Sequence, residues 1–229
     1  MRHPDYDVVL TRLKNSTTST PLKLLDLGTC LGQDLRTLVA DGAPLSSLHG
    51  ADLFPAFETA GQALFKDQDR FDASHFITGD IFSDIDDLAK SRGLWNFIHI
   101  TMFLHVFPLV SQEKACENVL RLLKTGPYSK VFGTQTGRLD AGELVLQPPM
   151  CEPGEHKTIF RHSVETIKEM WEKVARSAGI KVQVWAEYDE KDAAERAEGR
   201  KSKGEEWEKS ERFFTGDQER RMFFRVEIV

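Results

Sequence analysis

Two glycines and an acidic residue near the start of the chain have the spacing of a site for a charged nucleoside. Gly28 and Gly32 separate an apolar run at residues 24–27 from a segment with leucines at helical spacing. Glycine permits a sharp turn and close approach of a ligand, while the free N–H groups at a helix start favour a polar or anionic group. Asp26, just before the first glycine, suits a cationic ligand better than a pyrophosphate. Without further residues, the stretch is equally consistent with an ordinary strand-to-helix turn.

Two further acids follow the next apolar segments. Asp52 comes about twenty residues after the glycine turn, the distance at which a second-strand carboxylate reaches the ribose hydroxyls of a nucleoside. Asp80 could accept hydrogen bonds from an adenine amino group, with Ile81 and Phe82 packing on the ring. Taken singly, Asp52 is also consistent with a surface acid, and Asp80 or Asp84 with the N-cap of the following helix.

The remaining candidates for chemistry come later in the chain. His105 follows the fourth strand and is the candidate general base or acceptor-orienting group, unless backbone hydrogen bonds simply satisfy it. Arg161 and His162 precede a helix and could hold an anionic acceptor. The aromatic-rich crossing after the fourth strand is expected to form a pocket wall, or only core packing; its members are Met102, Phe103 and Phe107.

Strands and helices must alternate to bring these residues together. Period-2 and apolar runs predict strands at residues 24–27, 48–53, 75–78, 95–101, 130–135, 180–185 and 221–229. Helical spacing predicts helices between them, two of which have Ser111 and Ser163 as N-caps. This order predicts an α/β fold with a seven-stranded, mostly parallel, Rossmann-like sheet and a C-terminal antiparallel hairpin. The carboxyl ends of its strands should bring together Gly28, Gly32, Asp52, Asp80 and Thr101.

Composition narrows the class of protein. A chain of 229 residues with this pattern is expected to form one domain, residues 1–229. The net charge of −6 and pI of about 5.7 argue against nucleic acid or an anionic membrane as the main partner. No apolar run reaches the roughly 20 residues of a spanning helix, and residues 1–5 do not resemble a secretory signal. We therefore expect a soluble, cytoplasmic protein.

Cysteine usage points the same way. Cys30, Cys116 and Cys151 are odd in number and have no CxxC spacing. We expect reduced, partly buried thiols, with neither a disulfide framework nor a metal site.

Three segments carry no clear chemistry. Residues 1–20 contain a short amphipathic helix at 6–13 and a Ser/Thr-rich linker. Residues 137–160 have little periodicity and are expected to be a long loop, either a lid, a substrate-binding insertion or a mobile segment. The charged insertion at residues 187–212 is typical of a solvated hairpin arm or a disordered tip.

The residues at the predicted sheet edge resemble those of class I S-adenosylmethionine-dependent methyltransferases. Residues 26–34 (DLGTCLGQD), 41–44, 52–53 and 103–107 look like those of fungal secondary-metabolite methyltransferases, including enzymes that esterify carboxyl groups of meroterpenoids. The likeness runs from about residue 3 to 176 and returns in the last strand. It implies that the methionine part of the cofactor meets Asp26, Gly28, Thr29 and Gly32, the ribose meets Asp52 beside Leu53, and the adenine meets Asp80 and Ile81.

The resemblance implies transfer of a methyl group from S-adenosylmethionine to a carboxylate or hydroxyl oxygen of a small secondary metabolite, leaving S-adenosylhomocysteine. Two alternatives remain open: a cyclase or isomerase that binds the cofactor without methyl transfer, and a non-catalytic cofactor-binding partner of another methyltransferase. Family members generally carry a longer segment before the glycine turn, which often helps to cover the substrate, whereas here only the short helix at 6–13 is predicted.

The pocket is therefore expected to be more open, or to be completed by a second subunit in a homodimer.

Overall fold

The backbone follows the alternation of strand and helix that the sequence predicts. A computed structural model describes residues 3–17, 19–126, 129–203 and 218–229. The strands are β1 (Leu24–Leu27), β2 (Leu48–Asp52), β3 (Phe76–Thr78), β4 (Phe97–Thr101), β5 (Lys130–Arg138), β6 (Gly142–Val145), β7 (Thr158–Arg161), β8 (Val182–Tyr188) and β9 (Glu219–Ile228). The α-helices are α1 (Tyr6–Lys14), α2 (Gln33–Ala40), α3 (Ala56–Phe65), α4 (Asp87–Lys90), α5 (Leu109–Leu122), α6 (Val164–Ser177) and α7 (Glu190–Lys203).

Seven of the strands form one sheet in the order β3-β2-β1-β4-β5-β9-β8. The pairs among β1 to β5 are parallel, because a helix-containing crossover returns the chain to the same end of the sheet each time. Strand β9 runs antiparallel to both β5 and β8. The α/β fold class is thus confirmed, with its seven-stranded, mostly parallel sheet and the reversed C-terminal pair.

The sheet is covered on both faces, and β4 shows why its sequence is almost continuously apolar. Ile98 and Ile100 pack into the larger core with α5 and α6. Phe97, on the opposite face, packs with residues of α1 and α2. A central parallel strand buried on both sides has few positions left for polar residues. The polar exceptions on β4, His99 and Thr101, therefore stand out.

The structure corrects two predicted N-caps. Helix α5 begins at Leu109 directly after Pro108, so Ser111 lies inside its first turn and is not the cap. The ring of Pro108 fixes its φ at −66°, which is compatible with the residue that precedes a helix. Helix α4 is capped by Asp86, whose carboxylate accepts from the Ala89 N–H at 2.8 Å, and not by Asp80 or Asp84.

Two segments contain more regular structure than their sequences predict. Strands β6 and β7 pair as an antiparallel hairpin within residues 137–160, so the prediction of an irregular loop there is wrong. The charged segment at 187–212 begins with the end of β8 and then forms α7. Its residues 204–212 lie outside the described part of the chain. None of the helices in that part is long and apolar enough to cross a membrane.

Ser163 is the N-cap of α6, as predicted. Its hydroxyl accepts from the Thr166 N–H at 3.3 Å, while the Thr166 hydroxyl accepts from the Ser163 N–H at 3.0 Å. This reciprocal pair is a capping box. It sets the start of the helix immediately after Arg161 and His162.

Replacing Ser163 with alanine should lower the free energy of unfolding by about 1 kcal/mol, because the Thr166 N–H at the start of the helix loses its side-chain acceptor. Urea unfolding followed by circular dichroism measures the change. Ser177→Ala, at the exposed end of the same helix, is the matched control and should stay within about 0.5 kcal/mol of the parent. Equal values for the two variants would contradict a stabilising cap.

Candidate active site

The glycine turn after β1 requires glycine at two positions. Gly28 and Gly32 have φ values of +75° and +72°, in the left-handed region that glycine adopts without strain. A Cβ on Gly28 would also lie 2.7 Å from the Phe103 ring. The turn is held against β2 by hydrogen bonds from the Gly28 and Thr29 N–H groups to the Ala51 carbonyl. These contacts bring the turn, β2 and the segment after β4 to one edge of the sheet.

Asp26 links this turn to β4. Its side chain is only 5% exposed. One carboxylate oxygen accepts from the Thr29 hydroxyl at 2.8 Å, and the other lies 2.8 Å from Nδ1 of His99. Because an ionised carboxylate can only accept, Nδ1 of His99 is the donor. Asp26 therefore joins the turn to β4, and the contact with the methionine part that the resemblance implies stays a prediction.

His99 is the principal residue that sequence reasoning missed. Its Nε2 lies 2.8 Å from the Thr101 hydroxyl, so Asp26, His99 and Thr101 form a continuous hydrogen-bonded row. Burial alone would lower the pKa of His99, but the hydrogen bond and charge of Asp26, together with the charge of Asp34, raise it. Strand alternation places His99 and Thr101 on one face, and β1–β4 pairing sets Asp26 beside His99.

A cavity of about 150 Å³ lies between this row, α1 and α2. Its polar lining is made by His3, Tyr6, Asp34, Thr37, His99, Thr101 and Thr134. Burial and the charge of Asp26 raise the pKa of Asp34. Ligand atoms of Asp26, Asp34 and His99 lie within 4.8 Å of one another, so the cavity has a cluster of acids that favours positive charge at one end.

The segment before α1, which covers this cavity, is anchored to strands β5 and β9. His3 contacts the Phe224 carbonyl through Nε2 at 3.0 Å. Asp5 pairs with Lys130 at 2.8 Å and with Arg225 at 3.0 Å. Burial would raise the pKa of Asp5, but these two cations lower it. Helix α1, which starts at the next residue, is thereby held over the cavity.

Asp52 lies at the end of β2, against the glycine turn. One of its oxygens accepts from the Cys30 N–H at 3.0 Å and the other from the Phe54 N–H at 3.2 Å. Each carboxylate oxygen retains a lone pair for a further donor. Leu53 and Phe54 beside it are more than half exposed, which leaves an apolar surface open next to the carboxylate.

Asp80 follows β3 and is held by its neighbours. Its N–H donates to Asp86 at 2.7 Å, and its carboxylate accepts from the Phe82 N–H at 2.9 Å. Ile81 is only 6% exposed and packs in the larger core. The larger exposed apolar surface beside Asp80 therefore belongs to the Phe82 ring, while the contact of Ile81 with an adenine ring stays a prediction.

Aromatic rings form the wall expected after β4. Phe107 packs edge-on against Phe82 and Phe103, with ring centroids 5.3 and 5.5 Å apart. Met102 has a φ of +54° and a half-exposed side chain. The Phe103 ring lies over the glycine turn, so this wall joins the edges of β1, β3 and β4.

His105 is less accessible than a base at an open site would be. It is 7% exposed, and burial, together with the nearby Arg161 charge, lowers its pKa to about 3. The ring is thus neutral near pH 7 and a weak proton acceptor. Its Nδ1 atom is buried and has no hydrogen-bond partner in the described ranges.

Arg161 and His162 diverge in the structure. The Arg161 guanidinium is 3.9 Å from Glu219, too far for a hydrogen bond, and its buried Nε and Nη1 atoms have no hydrogen-bond partner among the residues described. His162 bonds through Nδ1 to Thr166 at 3.0 Å at the start of α6, and burial lowers its pKa to about 4. The structure therefore brings Arg161 towards His105 but places His162 against a helix.

Sequence relatives of the chain are methyltransferases. It is 34% identical to the O-methyltransferase atr3 of Stereocaulon alpinum over 206 residues, which covers 90% of this chain and 54% of that protein. It is 32% identical to the O-methyltransferase phiE of Fungal sp. (strain ATCC 74256), covering 80% and 57%. For the methyltransferase prhM of Penicillium brasilianum the values are 33%, 82% and 64%. The chain thus spans about half to two thirds of the length of these relatives.

Solved structures with similar folds include phosphoethanolamine N-methyltransferase 2 of Haemonchus contortus in complex with S-adenosyl-L-methionine, with a TM-score of 0.58 and 18% identity over 97% of this chain and 52% of that one. The [4+2]-cyclase SpnF has a TM-score of 0.59 and 15% identity, covering 97% and 79%. No protein-family model matches the chain. By sequence, the chain is therefore a relative of fungal secondary-metabolite O-methyltransferases, and it has the fold of class I S-adenosylmethionine-dependent methyltransferases.

Proposed function

We propose that this chain binds S-adenosylmethionine and transfers its methyl group to an oxygen of a small molecule. The observation that carries the proposal is the bond between the Asp52 carboxylate and the Cys30 N–H, at 3.0 Å. It fixes a carboxylate with free lone pairs directly beside a turn with left-handed glycines, at the carboxyl edge of a parallel sheet. A ribose and a short polar tail fit that pair of features.

The proposed assignments follow the order of the strands. The methionine part would meet Asp26 and the turn at Gly28, Thr29 and Gly32. Asp52, beside Leu53, would accept hydrogen bonds from the ribose hydroxyls.

Asp80 would accept from the adenine amino group, with Phe82 packing against the ring. Thr101, at the end of β4, would complete the set of residues around the cofactor. Bound S-adenosylmethionine supplies an electrophilic methyl group that a correctly placed oxygen attacks directly.

The acceptor would bind between the aromatic wall and Arg161. Met102, Phe103 and Phe107 exclude water and hold an apolar body. Arg161 has buried donors for an anionic oxygen, which a carboxylate or an ionised hydroxyl provides. Since the pKa of His105 is about 3, this residue would orient the acceptor more effectively than it would remove a proton. Alignment of this kind contributes about 7–11 kcal/mol in well-oriented reactions.

We also propose that residues 1–229 act as one methyltransferase-like domain and that a second copy completes the open side of the pocket. Light scattering on the purified chain measures the second point directly. A mass of twice 26.0 kDa is the expected value. A monomer at all concentrations would contradict the homodimer without affecting the assignment of the cofactor site.

Calorimetry with S-adenosylmethionine tests the central proposal, and we expect binding in the micromolar range. Incubation with methyl-labelled cofactor and panels of aromatic carboxylic acids and phenols then tests transfer. Label in a product supports O-methylation, and an unlabelled new product would instead indicate a cyclase or isomerase. The absence of binding at about 1 mM cofactor would overturn the proposal.

A further inference from the structure

Two acids surround one imidazole beneath the glycine turn. Asp26 comes from β1, Asp34 from the first turn of α2 and His99 from β4, and their ligand atoms lie within 4.8 Å of one another. His3, from the segment before α1, has its pKa lowered in part by the charge of His99, and Tyr6 of α1 lines the same cavity. The Asp34 carboxylate lines the cavity and has no hydrogen-bond partner among the described residues. The charge of the cluster therefore depends on whether His99 carries a second proton and on whether Asp34 is ionised.

The hydrogen-bonded row can hold His99 in either state. Nδ1 donates to Asp26 in both, because the carboxylate only accepts. When the ring is neutral, Nε2 accepts from the Thr101 hydroxyl; when it is charged, Nε2 donates to the same hydroxyl oxygen. A threonine hydroxyl can rotate to serve either role. His99 can thus gain or lose its proton without any rearrangement of the backbone.

Asp26 also connects this cluster to the proposed cofactor site. Its second oxygen accepts from Thr29, which lies in the glycine turn. A change in charge at His99 therefore acts, through the Asp26 carboxylate, on the turn that would hold the methionine part. S-Adenosylmethionine carries a sulfonium charge there, whereas S-adenosylhomocysteine carries a neutral thioether. The two ligands differ by one positive charge at nearly the same shape.

We propose that His99 selects the cofactor over its product by charge: it releases its second proton to solvent when the sulfonium ligand binds and retains that proton with the neutral thioether. This inference rests on the proposed function. At low pH the imidazolium opposes the sulfonium charge. As pH rises and His99 becomes neutral, Asp26 and Asp34 are left to attract it. The cofactor therefore competes better with the neutral product as the pH rises.

The sign of the pH dependence follows from the raised pKa of His99. Below this pKa the ring is charged, so S-adenosylmethionine loses affinity while S-adenosylhomocysteine is little changed. Two unit charges about 12 Å apart, at an effective dielectric constant of about 20, interact by about 1.4 kcal/mol, which alters binding about tenfold. We therefore expect the ratio of the dissociation constants, cofactor over product, to fall about tenfold as the pH rises through the raised pKa of His99. Ionisation of Asp34 would act in the same direction, so a variant must separate the two.

Calorimetry with both commercial ligands provides the test, in two buffers of different ionisation enthalpy and with EDTA present throughout. The parent protein should release about half a proton per S-adenosylmethionine at a pH close to the pKa of His99, and fewer with S-adenosylhomocysteine. His99→Asn keeps a donor for Asp26 but does not titrate, so its affinity ratio should be nearly constant with pH. His156→Asn, at an exposed histidine of the β6–β7 segment, is the matched control and should behave as the parent.

Histidine C–H resonances of the parent protein give a second measurement that does not depend on the variant folding. One ring should titrate with a raised pKa in the free protein, and that pKa should fall with S-adenosylmethionine but not with S-adenosylhomocysteine. Binding of both ligands with equal proton release, or with a constant ratio across pH, would overturn the inference and leave the proposed function intact. If neither ligand binds, both are wrong.

Discussion

Alanine in place of Asp52 is expected to weaken S-adenosylmethionine binding about 100-fold. In the proposed site this carboxylate accepts from two ribose hydroxyls while it already accepts from the Cys30 and Phe54 N–H groups. Hydrogen bonds to a charged acceptor contribute about 1.5–3 kcal/mol each, and a factor of 100 corresponds to about 2.7 kcal/mol. The expected loss is smaller than the sum of two such bonds because water takes the place of the lost carboxylate oxygens. Calorimetric titration of the purified variant measures the change.

Two variants show whether the effect belongs to the carboxylate at this position. Asp52→Asn keeps one acceptor oxygen and should lose about tenfold. Asp69→Ala removes an exposed acid after α3 and should bind as the parent does. Because Asp52 also holds the turn, thermal unfolding must accompany the titration. A folded alanine variant with unchanged affinity would remove Asp52 from the ribose site.

The parts of the fold that could be predicted are those set by local backbone demands. A turn that needs positive φ at two positions after a strand can be predicted from its two glycines, since other residues adopt that conformation at a cost. The apolar run of β4 and the N-cap at Ser163 are likewise predicted from neighbouring residues. Asp52 could be placed because each strand of a parallel sheet ends at the same edge.

The parts that could not be predicted depend on residues distant in the chain. His99 acquires its importance from Asp26, 73 positions earlier, and only the β1–β4 register brings the two side by side. His105 and Arg161 are drawn together by the β6–β7 hairpin, whose four-residue strands are too short for a clear period-2 pattern. Burial then changes the chemistry, because a histidine that looks like a base in the sequence has its pKa lowered to about 3.

Gly133→Ala should destabilise the protein by more than about 3 kcal/mol and leave much of it unfolded or insoluble. Gly133 is paired with Ile100 where β4 and β5 run side by side. A Cβ at this position would overlap the Ile100 carbonyl, which is backbone and cannot rotate away. Accommodation would require the two central strands to separate, at the expense of ladder hydrogen bonds on both sides. Urea unfolding of the parent and variant measures the loss.

Gly142→Ala is the matched control, since a Cβ on Gly142 in β6 would meet no atom within 4 Å. It should remain within about 0.5 kcal/mol of the parent. The site is affected as well as the fold, because the next pair along the same two strands is Thr101 with Thr134, both of which line the cavity beside His99. A soluble Gly133→Ala variant should therefore lose the raised pKa of His99 before it loses its secondary structure. A variant as stable as the control would show that β4 and β5 can separate freely, and would contradict the rigid support that the His99 row requires.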